Sequence, residues 1–349
     1  MQALRLVAER RLELVDVPEP PPPGPGEVQV RVRAVALNHI DVWGFRGMAF
    51  ARRTLPLTVG VEAAGEVAAV GPDAGGLAVG GRVALYGGLT CGICRACREG
   101  RDNLCADVQG IMGFHLDGFA QELRNVPARL CIPVPDGVSW TDAACAPITF
   151  ATVEHMLFDN AKLLQGEWIL VHAGGSGIGT AAIQLAKDQG ATVVTTVGDD
   201  GKAAKARALG ADHVVNYRTD RFEGVVRRLT ARRGVDVVFE HVGPDTWAGS
   251  LLSLARGGRL VTCGSTSGIS AETNLFQIFQ QQIRIFGSFG ATRRNVRDSL
   301  ARMAAGKVRA IVDTALPLAD WEKGLERLMA RQVFGKIVVT MPGAGISRG

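Results

Sequence analysis

The stretch Ile169-Leu-Val-His-Ala-Gly-Gly-Ser-Gly-Ile-Gly-Thr-Ala-Ala182 decides the fold of this 349-residue chain. A short apolar strand enters a glycine-rich turn, and the chain leaves the turn as a helix. Glycine lets the backbone approach a ligand closely, and the N-terminus of the following helix attracts an anion such as a pyrophosphate. The context predicts a dinucleotide-binding turn formed by Gly174, Gly175, Ser176, Gly177, Ile178 and Gly179.

The residues that follow this turn alternate between helical and strand patterns. Such an alternation predicts a parallel, doubly wound α/β sheet. A helical pattern at 141–163 precedes it, and two helices and a final strand follow it. The predicted helices span 178–189, 201–210, 220–232, 245–255, 293–306 and 318–332, and the predicted strands span 168–172, 191–197, 213–216, 235–239, 259–263 and 335–340.

The first 140 residues have a different character. Residues 28–35 alternate apolar and polar side chains with the period of a strand, and the prolines of 18–25 predict a surface loop. Short apolar runs at 58–70 and 82–86 are separated by glycines. We expect a small, strand-rich domain here, separate from the doubly wound one.

Composition restricts the class of protein. Hydrophobic residues make up 47% and charged residues 21% of the chain, which is ordinary for a globular protein. The net charge of +5 comes from scattered arginines rather than from a basic run, which argues against a nucleic-acid partner. Apolar runs fall short of the roughly 18 residues of a membrane span, and the N-terminus lacks a signal-peptide pattern. We expect a cytoplasmic protein with a small-molecule ligand and no membrane partner.

Four of the seven cysteines lie within 15 residues. Four thiolates at such short spacing can surround one Zn²⁺ ion, and a site filled by four cysteines is structural because no coordination position stays open. An iron–sulfur cluster is the alternative, but its bacterial signature ends in a shorter gap followed by proline. Cys131, Cys145 and Cys263 lie in apolar surroundings and are predicted to be inert. The predicted zinc ligands are Cys91, Cys94, Cys97 and Cys105.

The end of the second strand of the doubly wound region bears on the choice of nucleotide. An acid at this place would bind the ribose hydroxyls of NAD, but the strand ends in Val197-Gly198. Asp199 and Asp200 follow in the loop and keep NAD possible. Cations and a phenol suit the 2′-phosphate of NADP. The candidates for that role are Lys202, Tyr217 and Arg331.

Taken together, these motifs resemble the medium-chain dehydrogenase/reductase superfamily over essentially the whole chain. The resemblance implies a GroES-like, β-rich catalytic domain at 1–150, to which 291–349 returns, and a Rossmann domain at 151–290. It also implies that the four-cysteine segment is the structural zinc lobe of the zinc alcohol dehydrogenases.

The three ligand positions for a catalytic zinc in that family are altered. Asn38 stands where the first cysteine is expected, in Asn38-His-Ile-Asp41. Val61 replaces the histidine of the Gly-His-Glu motif, and Ile148 or Thr149 stands at the third position. The resemblance therefore implies that a catalytic zinc is lacking, unless His39 and Glu62 act as substitute ligands.

The altered positions resemble the zinc-independent quinone oxidoreductase branch. That branch has Asn-x-x-Asp where Asn38 and Asp41 stand, and it has a Leu-x-x-Gly-Gly-Arg segment that 254–259 matches. Its NADPH-binding members carry Lys, Tyr and Arg at positions that Lys202, Tyr217 and Arg331 match. The resemblance thus favours NADPH over NADH, whereas the retained cysteine lobe is a departure, since many members of this branch lack it.

The implied function is hydride transfer from NAD(P)H to a quinone, an enone or a related activated carbonyl compound. Asn38 and Thr149 are the expected polar groups beside nicotinamide and substrate, with Asp41 and Glu62 orienting them. Gly264, Ser265 and Phe289 are expected beside the nicotinamide. The alternatives are a zinc-type alcohol dehydrogenase and a non-catalytic NADPH-binding redox sensor. The family also implies a homodimer or tetramer, with association through an edge strand near 283–289.

Overall fold

A computed structural model describes residues 1–48 and 53–342. Its strands are, in chain order, β1 (Gln2–Ala8), β2 (Arg11–Asp16), β3 (Glu27–Ala36), β4 (Leu57–Thr58), β5 (Ala63–Val70), β6 (Arg82–Leu85), β7 (Leu123–Pro127), β8 (Cys131–Pro133), β9 (Trp168–Val171), β10 (Thr192–Val197), β11 (His213–Asn216), β12 (Val235–Glu240), β13 (Leu254–Thr262), β14 (Arg284–Gly287), β15 (Val312–Pro317) and β16 (Lys336–Thr340).

The α-helices are, in the same order, α1 (His39–Arg46), α2 (Arg95–Arg98), α3 (Trp140–Cys145), α4 (Ala151–Glu154), α5 (Gly177–Asp188), α6 (Asp200–Ala208), α7 (Phe222–Leu229), α8 (Pro244–Ser253), α9 (Leu275–Gln281), α10 (Arg293–Ala304) and α11 (Trp321–Met329). Within the described part of the chain, every helix is too short or too polar to cross a bilayer.

The chain forms two compact units. The first unit comprises Met1–Ala151 together with Ala291–Gly349, and the second comprises Thr152–Gly290. The first unit contains a small sheet of order β2-β1-β4 and a larger sheet of order β15-β16-β3-β5-β6-β8, in which β7 also pairs with β3. Alternate side chains of β3 are buried from Val28 to Val32, as the alternation in the sequence predicts. Strand β16 pairs with β3, so that the last strand of the chain lies beside an early one.

The second unit contains the predicted doubly wound sheet. Its order is β11-β10-β9-β12-β13-β14, and all neighbouring strands run parallel. The inner strands β9, β10 and β12 are almost continuously buried, as expected for strands covered by helices on both faces. The strand order reverses between β9 and β12, and ligands of such sheets bind beyond the carboxyl ends of strands at a reversal of this kind.

The segment predicted as one helix at 141–163 is less regular than its sequence pattern suggests. Helices α3 and α4 are interrupted by a wider π-helical turn at Ala146–Phe150, and a second such turn spans His155–Asn160. Pro147 lies in the first of these turns, where its ring cannot supply an N–H to a regular helical ladder. The irregular turn sets the direction of the Ile148 and Thr149 backbone N–H groups.

Candidate functional site

The glycine-rich turn lies at the carboxyl end of β9. Ala173 has a φ of +47°, in the left-handed region that an alanine seldom adopts, and Gly174 N donates to Thr196 O over 2.9 Å. A Cβ on Gly174 would come within 2.2 Å of Thr195 Oγ1, and a Cβ on Gly179 within 2.2 Å of Ala173 O. Both positions therefore require glycine for the turn to pack against β10 and against itself.

Helix α5 begins directly after the turn. Ser176 is its N-cap, and the Ser176 hydroxyl accepts from Gly179 N over 3.0 Å. Ser176, Gly177 and Ile178 are partly exposed, whereas Gly174, Gly175 and Gly179 are buried. The first N–H groups of a helix have no partner within the helix and carry its positive dipole end. This twelve-residue helix therefore fits a dinucleotide pyrophosphate at its start.

The candidate residues for the 2′-position of the nucleotide lie beyond β10 and β11. Tyr217 is 44% exposed, and a Cβ on Gly198 would meet its hydroxyl at 2.5 Å. The Asp199 carboxylate caps α6 by accepting from Lys202 N over 2.8 Å, and Asp200 accepts from Asn216 Nδ2 over 3.2 Å. Both acids thus have local hydrogen-bond donors.

The other predicted nucleotide contacts lie on further loops. Gly264 and Ser265 follow β13, and Phe289 follows β14 with 69% of its surface exposed. A Cβ on Gly243 would come within 3.2 Å of Ser265 Cα, which shows that the loops after β12 and β13 touch. Arg331 follows α11 with a φ of +57° and belongs to the first unit, whereas Lys202 and Tyr217 belong to the second.

The four clustered cysteines form a ready metal site. Their four Sγ atoms lie within 4.8 Å of one another, and Sγ–Sγ distances are 3.5 Å for Cys91–Cys105 and 4.0 Å for Cys94–Cys105. A tetrahedral ion with Zn–S bonds of about 2.3 Å requires sulfur atoms about 3.8 Å apart. These sulfur–sulfur distances are much longer than a disulfide bond, and they fit four thiolates around one zinc ion.

Backbone groups around the lobe also favour thiolates. Cys91 N donates to Cys105 Sγ and Cys94 N to Cys91 Sγ, each over 3.3 Å. Hydrogen bonds from backbone N–H groups lower the pKa of the Cys94 thiol to about 6. Cys97 of the lobe differs from Cys94, because burial raises its pKa to about 12. Burial also raises the pKa of Cys131 and Cys263 to about 12 and raises that of Cys145 further. Cys131 and Cys145 are buried and Cys263 is partly exposed.

The altered zinc-ligand positions meet in the first unit around Glu62, whose exposure is 0%. Glu62 Oε1 accepts from Ile148 N over 2.7 Å and from Thr149 N over 2.6 Å. Glu62 Oε2 accepts from Asn38 Nδ2 over 2.9 Å and from the Thr149 hydroxyl over 3.0 Å. Asn38 and Thr149 are thus brought together by one carboxylate.

Lys336 completes this cluster, and sequence reasoning did not single it out. Its exposure is 3%, and its Nζ donates to Leu37 O and Asn38 Oδ1, each over 2.7 Å, and to Glu62 Oε2 over 3.1 Å. We call Asn38, Glu62, Thr149 and Lys336 the Glu62 cluster. The signal that could have revealed Lys336 is a charged residue at the start of the otherwise apolar strand β16.

Asp41 lies beside the cluster at the start of α1. Its Oδ2 accepts from Asn38 N over 2.8 Å, while Oδ1 is buried without a partner among the described residues. Burial raises the pKa of Asp41 to about 7, although the Asn38 N–H and the Lys336 charge act in the opposite direction. Asp41 also borders a cavity of about 10 Å³, roughly the space of one water molecule. Its contacts fit a residue that orients Asn38.

Comparison with known proteins agrees with this architecture. Residues 24–136 match the family model of the alcohol dehydrogenase GroES-like domain, and residues 177–305 match that of the zinc-binding dehydrogenases. An acryloyl-coenzyme A reductase of Metallosphaera sedula is 32% identical over 306 residues, which cover 87% of this chain and 89% of that protein. The chain belongs to the medium-chain dehydrogenase/reductase superfamily. It is accordingly an NAD(P)-dependent oxidoreductase.

Two further relatives are a reductase and an alcohol dehydrogenase of known structure. A 2-haloacrylate reductase of a Burkholderia species is 29% identical, and the alignment covers 88% of each chain. The crystal structure of an NAD-dependent alcohol dehydrogenase is 39% identical, with a TM-score of 0.92 over 97% of this chain and 99% of that one. The superfamily membership and the combined GroES-like and Rossmann fold confirm the resemblance drawn from the motifs.

Proposed function

We propose that this chain reduces activated alkenes or carbonyl compounds, such as enones and quinones, by hydride transfer from NADPH, with one structural zinc and no catalytic zinc. The observation that carries the proposal is the Glu62 cluster. The positions at which the superfamily holds a catalytic zinc contain an amide, an isopropyl group and a threonine or isoleucine. The Glu62 carboxylate joins Asn38, Ile148 and Thr149, and the Lys336 ammonium pairs with that carboxylate and with the Asn38 amide.

A catalytic zinc does not fit these residues. Val61 and Ile148 offer no ligand atom, and the Glu62 oxygens already accept five hydrogen bonds. The substitute pair of His39 and Glu62 is disfavoured for the same reason, while the His39 ring packs edge-on against Trp43 at 6.5 Å. Among the described residues, one group of three or more His, Cys, Asp or Glu side chains is close enough to hold a metal ion, and that group is the four cysteines.

Without a Lewis acid, oxidation of a simple alcohol loses a large stabilising term, whereas an activated alkene or quinone needs less assistance. NADPH bound at the glycine-rich turn would supply a hydride, so that a C–H bond would form at the electron-poor carbon of the substrate. The electron pair of the double bond would move to the conjugated oxygen and the resulting enolate would take a proton from solvent, after which tautomerisation would give the saturated carbonyl compound or the hydroquinone. Relatives named acryloyl-coenzyme A reductase and 2-haloacrylate reductase support this substrate class.

We propose that Asn38 and Thr149 border the reacting atoms and that Asp41, Glu62 and Lys336 fix their orientation. Asn38 is partly exposed, but its amide hydrogens donate to Ala36 O and Glu62 Oε2, and its oxygen accepts from Lys336. The Thr149 hydroxyl is buried and bonded to Glu62. Since these protons are engaged, the cluster acts by rigid positioning and by its charge, not as a proton donor.

The preference for NADPH rests on the loop after β10. Asp199 is used as the cap of α6 and Asp200 accepts from Asn216, which leaves fewer free carboxylate oxygens for the ribose of NADH. Lys202 and Tyr217, near the same strand ends, suit a 2′-phosphate. Lys202→Ala and Tyr217→Phe should raise the Kd for NADPH in a fluorescence titration and leave that for NADH within about twofold.

We further propose that the two compact units correspond to a GroES-like catalytic domain, 1–150 with 291–349, and a Rossmann domain, 151–290. A homodimer through β14 is the proposed assembly. This strand is an edge of its sheet, and Phe276, Phe279 and Phe289 nearby are each more than half exposed. The four free thiols of the lobe suit a reducing compartment such as the cytoplasm.

The deciding experiment combines metal analysis with turnover. We expect one zinc per chain, and stoichiometric NADPH oxidation with an enone or 1,4-benzoquinone that continues after brief chelation. Two zinc ions per chain with chelator-sensitive oxidation of ethanol would refute the proposal and indicate a zinc-type alcohol dehydrogenase.

A further inference from the structure

A chain of buried polar side chains lies beneath the glycine-rich turn. His172, Glu240 and Ser250 have exposures of 0%, and Thr196 has one of 3%. They come from the ends of β9, β10 and β12 and from α8, all within the second unit. We call these four side chains the buried relay.

The relay has a fixed direction of hydrogen bonding. Ser250 Oγ lies 2.7 Å from Glu240 Oε2, and because a carboxylate only accepts, the single Ser250 proton points to Glu240. The Nε2 atom of His172, 2.8 Å from Ser250 Oγ, must then carry a hydrogen. His172 Nδ1 is left as an acceptor and receives the Thr196 hydroxyl over 3.3 Å. Burial lowers the pKa of His172 to about 4, in agreement with a neutral ring.

Each end of the relay holds one loop. Thr196 Oγ1 accepts from Ala173 N over 3.1 Å, at the residue whose φ is +47°. At the other end, Glu240 Oε1 accepts from Val242 N over 2.7 Å and from Gly243 N over 3.1 Å. The two loops follow β9 and β12, the neighbouring strands between which the sheet order reverses.

We propose that Thr196, His172, Ser250 and Glu240 are positioning residues that hold the glycine-rich turn and the loop after β12 in the conformation that binds the dinucleotide. This inference rests on the proposed binding of NADPH at the turn. Ala173 keeps an unfavourable backbone conformation, and the Thr196 hydroxyl is one of the contacts that hold it there. When the relay is broken, a smaller fraction of molecules has a binding-competent turn, and the apparent Kd rises by the same factor.

The test compares two buried serines of the same helix. Ser250→Ala breaks the relay, whereas Ser253→Ala removes a hydroxyl that only donates to Gly249 O within α8. Thr196→Val breaks the relay at its other end, and Thr196→Ser restores the hydroxyl. In a fluorescence titration, we expect Ser250→Ala and Thr196→Val to raise the Kd for NADPH roughly three- to tenfold, the effect of one buried hydrogen bond. Ser253→Ala and Thr196→Ser should stay within about twofold of the unmodified protein.

A second measurement separates positioning from general weakening of the fold. At saturating NADPH, kcat of Ser250→Ala should stay within about twofold, so that the change lies in KM for the nucleotide. Equal Kd values for Ser250→Ala and Ser253→Ala would overturn the inference. If Ser250→Ala does not fold, equal Kd values for Thr196→Val and Thr196→Ser would overturn it instead. Failure of the unmodified protein to bind NADPH or NADH would refute the proposed function.

Discussion

Replacing Lys336 by methionine should destabilise the first unit strongly at neutral pH. Methionine keeps much of the length of the side chain but removes the ammonium group that contacts Leu37 O, Asn38 Oδ1 and Glu62 Oε2. The Glu62 carboxylate is fully buried and would remain without a counter-charge, although four hydrogen-bond donors still reach it. Removing one partner of a buried ion pair costs about 3–5 kcal/mol.

For a unit of this size, such a loss corresponds to a fall in Tm of roughly 6–20 °C. Differential scanning calorimetry at pH 7 measures it. The matched control is Lys187→Met, because Lys187 pairs with Asp212 over 2.8 Å while both side chains are 35% exposed. A pair that accessible contributes about 0–1 kcal/mol.

A double-mutant cycle tests the cause. Glu62→Gln removes the buried charge. The double variant Lys336→Met/Glu62→Gln should therefore lose less free energy of unfolding than the two single variants lose together. The reasoning would be refuted if the losses of unfolding free energy were additive. It would also be refuted if Lys336→Met lowered Tm no more than Lys187→Met does.

Three more predictions concern Asp41, the cysteine lobe and the glycine-rich turn. The pKa of Asp41 is raised from 3.8 to about 7, so the stability contributed by its protonated form is present at pH 4 and is lost as the pH rises through 7. In urea titrations, the free energy of unfolding of Asp41→Asn, relative to that of the unmodified protein, should therefore be higher at pH 8 than at pH 5. When the zinc content of the protein is measured by mass spectrometry, Cys94→Ser should lack the one zinc ion expected for the lobe, whereas Cys263→Ser should retain it; a zinc ion retained by Cys94→Ser would contradict the four-thiolate site. Gly174→Ala should cost about 1–3 kcal/mol because its Cβ would strike Thr195 Oγ1. Gly224→Ala, in helix α7 with its nearest neighbour at 3.9 Å, should instead stabilise by about 0.5–1 kcal/mol, and equal effects in thermal melts would contradict the packing argument.

Local sequence patterns were sufficient for much of this architecture. The strand, glycine-rich turn and helix at 169–188 follow from a change of period and from glycine chemistry, both of which act within a few residues. The close spacing of the four cysteines likewise places their sulfur atoms in one small region. These features are predictable because their causes are local.

The Glu62 cluster and the buried relay were not predictable in full. Lys336 is 274 residues from Glu62 along the chain, and Ser250 is 78 residues from His172, so no periodicity connects them. The sequence placed Asn38 and Thr149 near one another through a family resemblance, but it did not show that a buried lysine and carboxylate engage their polar atoms. Long-range pairing through the β3–β16 register supplies that information.

The place of Lys336 in the last strand also bears on how the protein is made. Residues 152–290 form their own compact unit and leave the ribosome as one uninterrupted segment, which can therefore fold while synthesis continues. Residues 1–151 have emerged by then, but Lys336, the cation that pairs with Glu62 in the folded unit, has not yet been translated. We expect that unit to settle only when β16 emerges from the exit tunnel, so that the first residues translated are among the last to acquire their final structure.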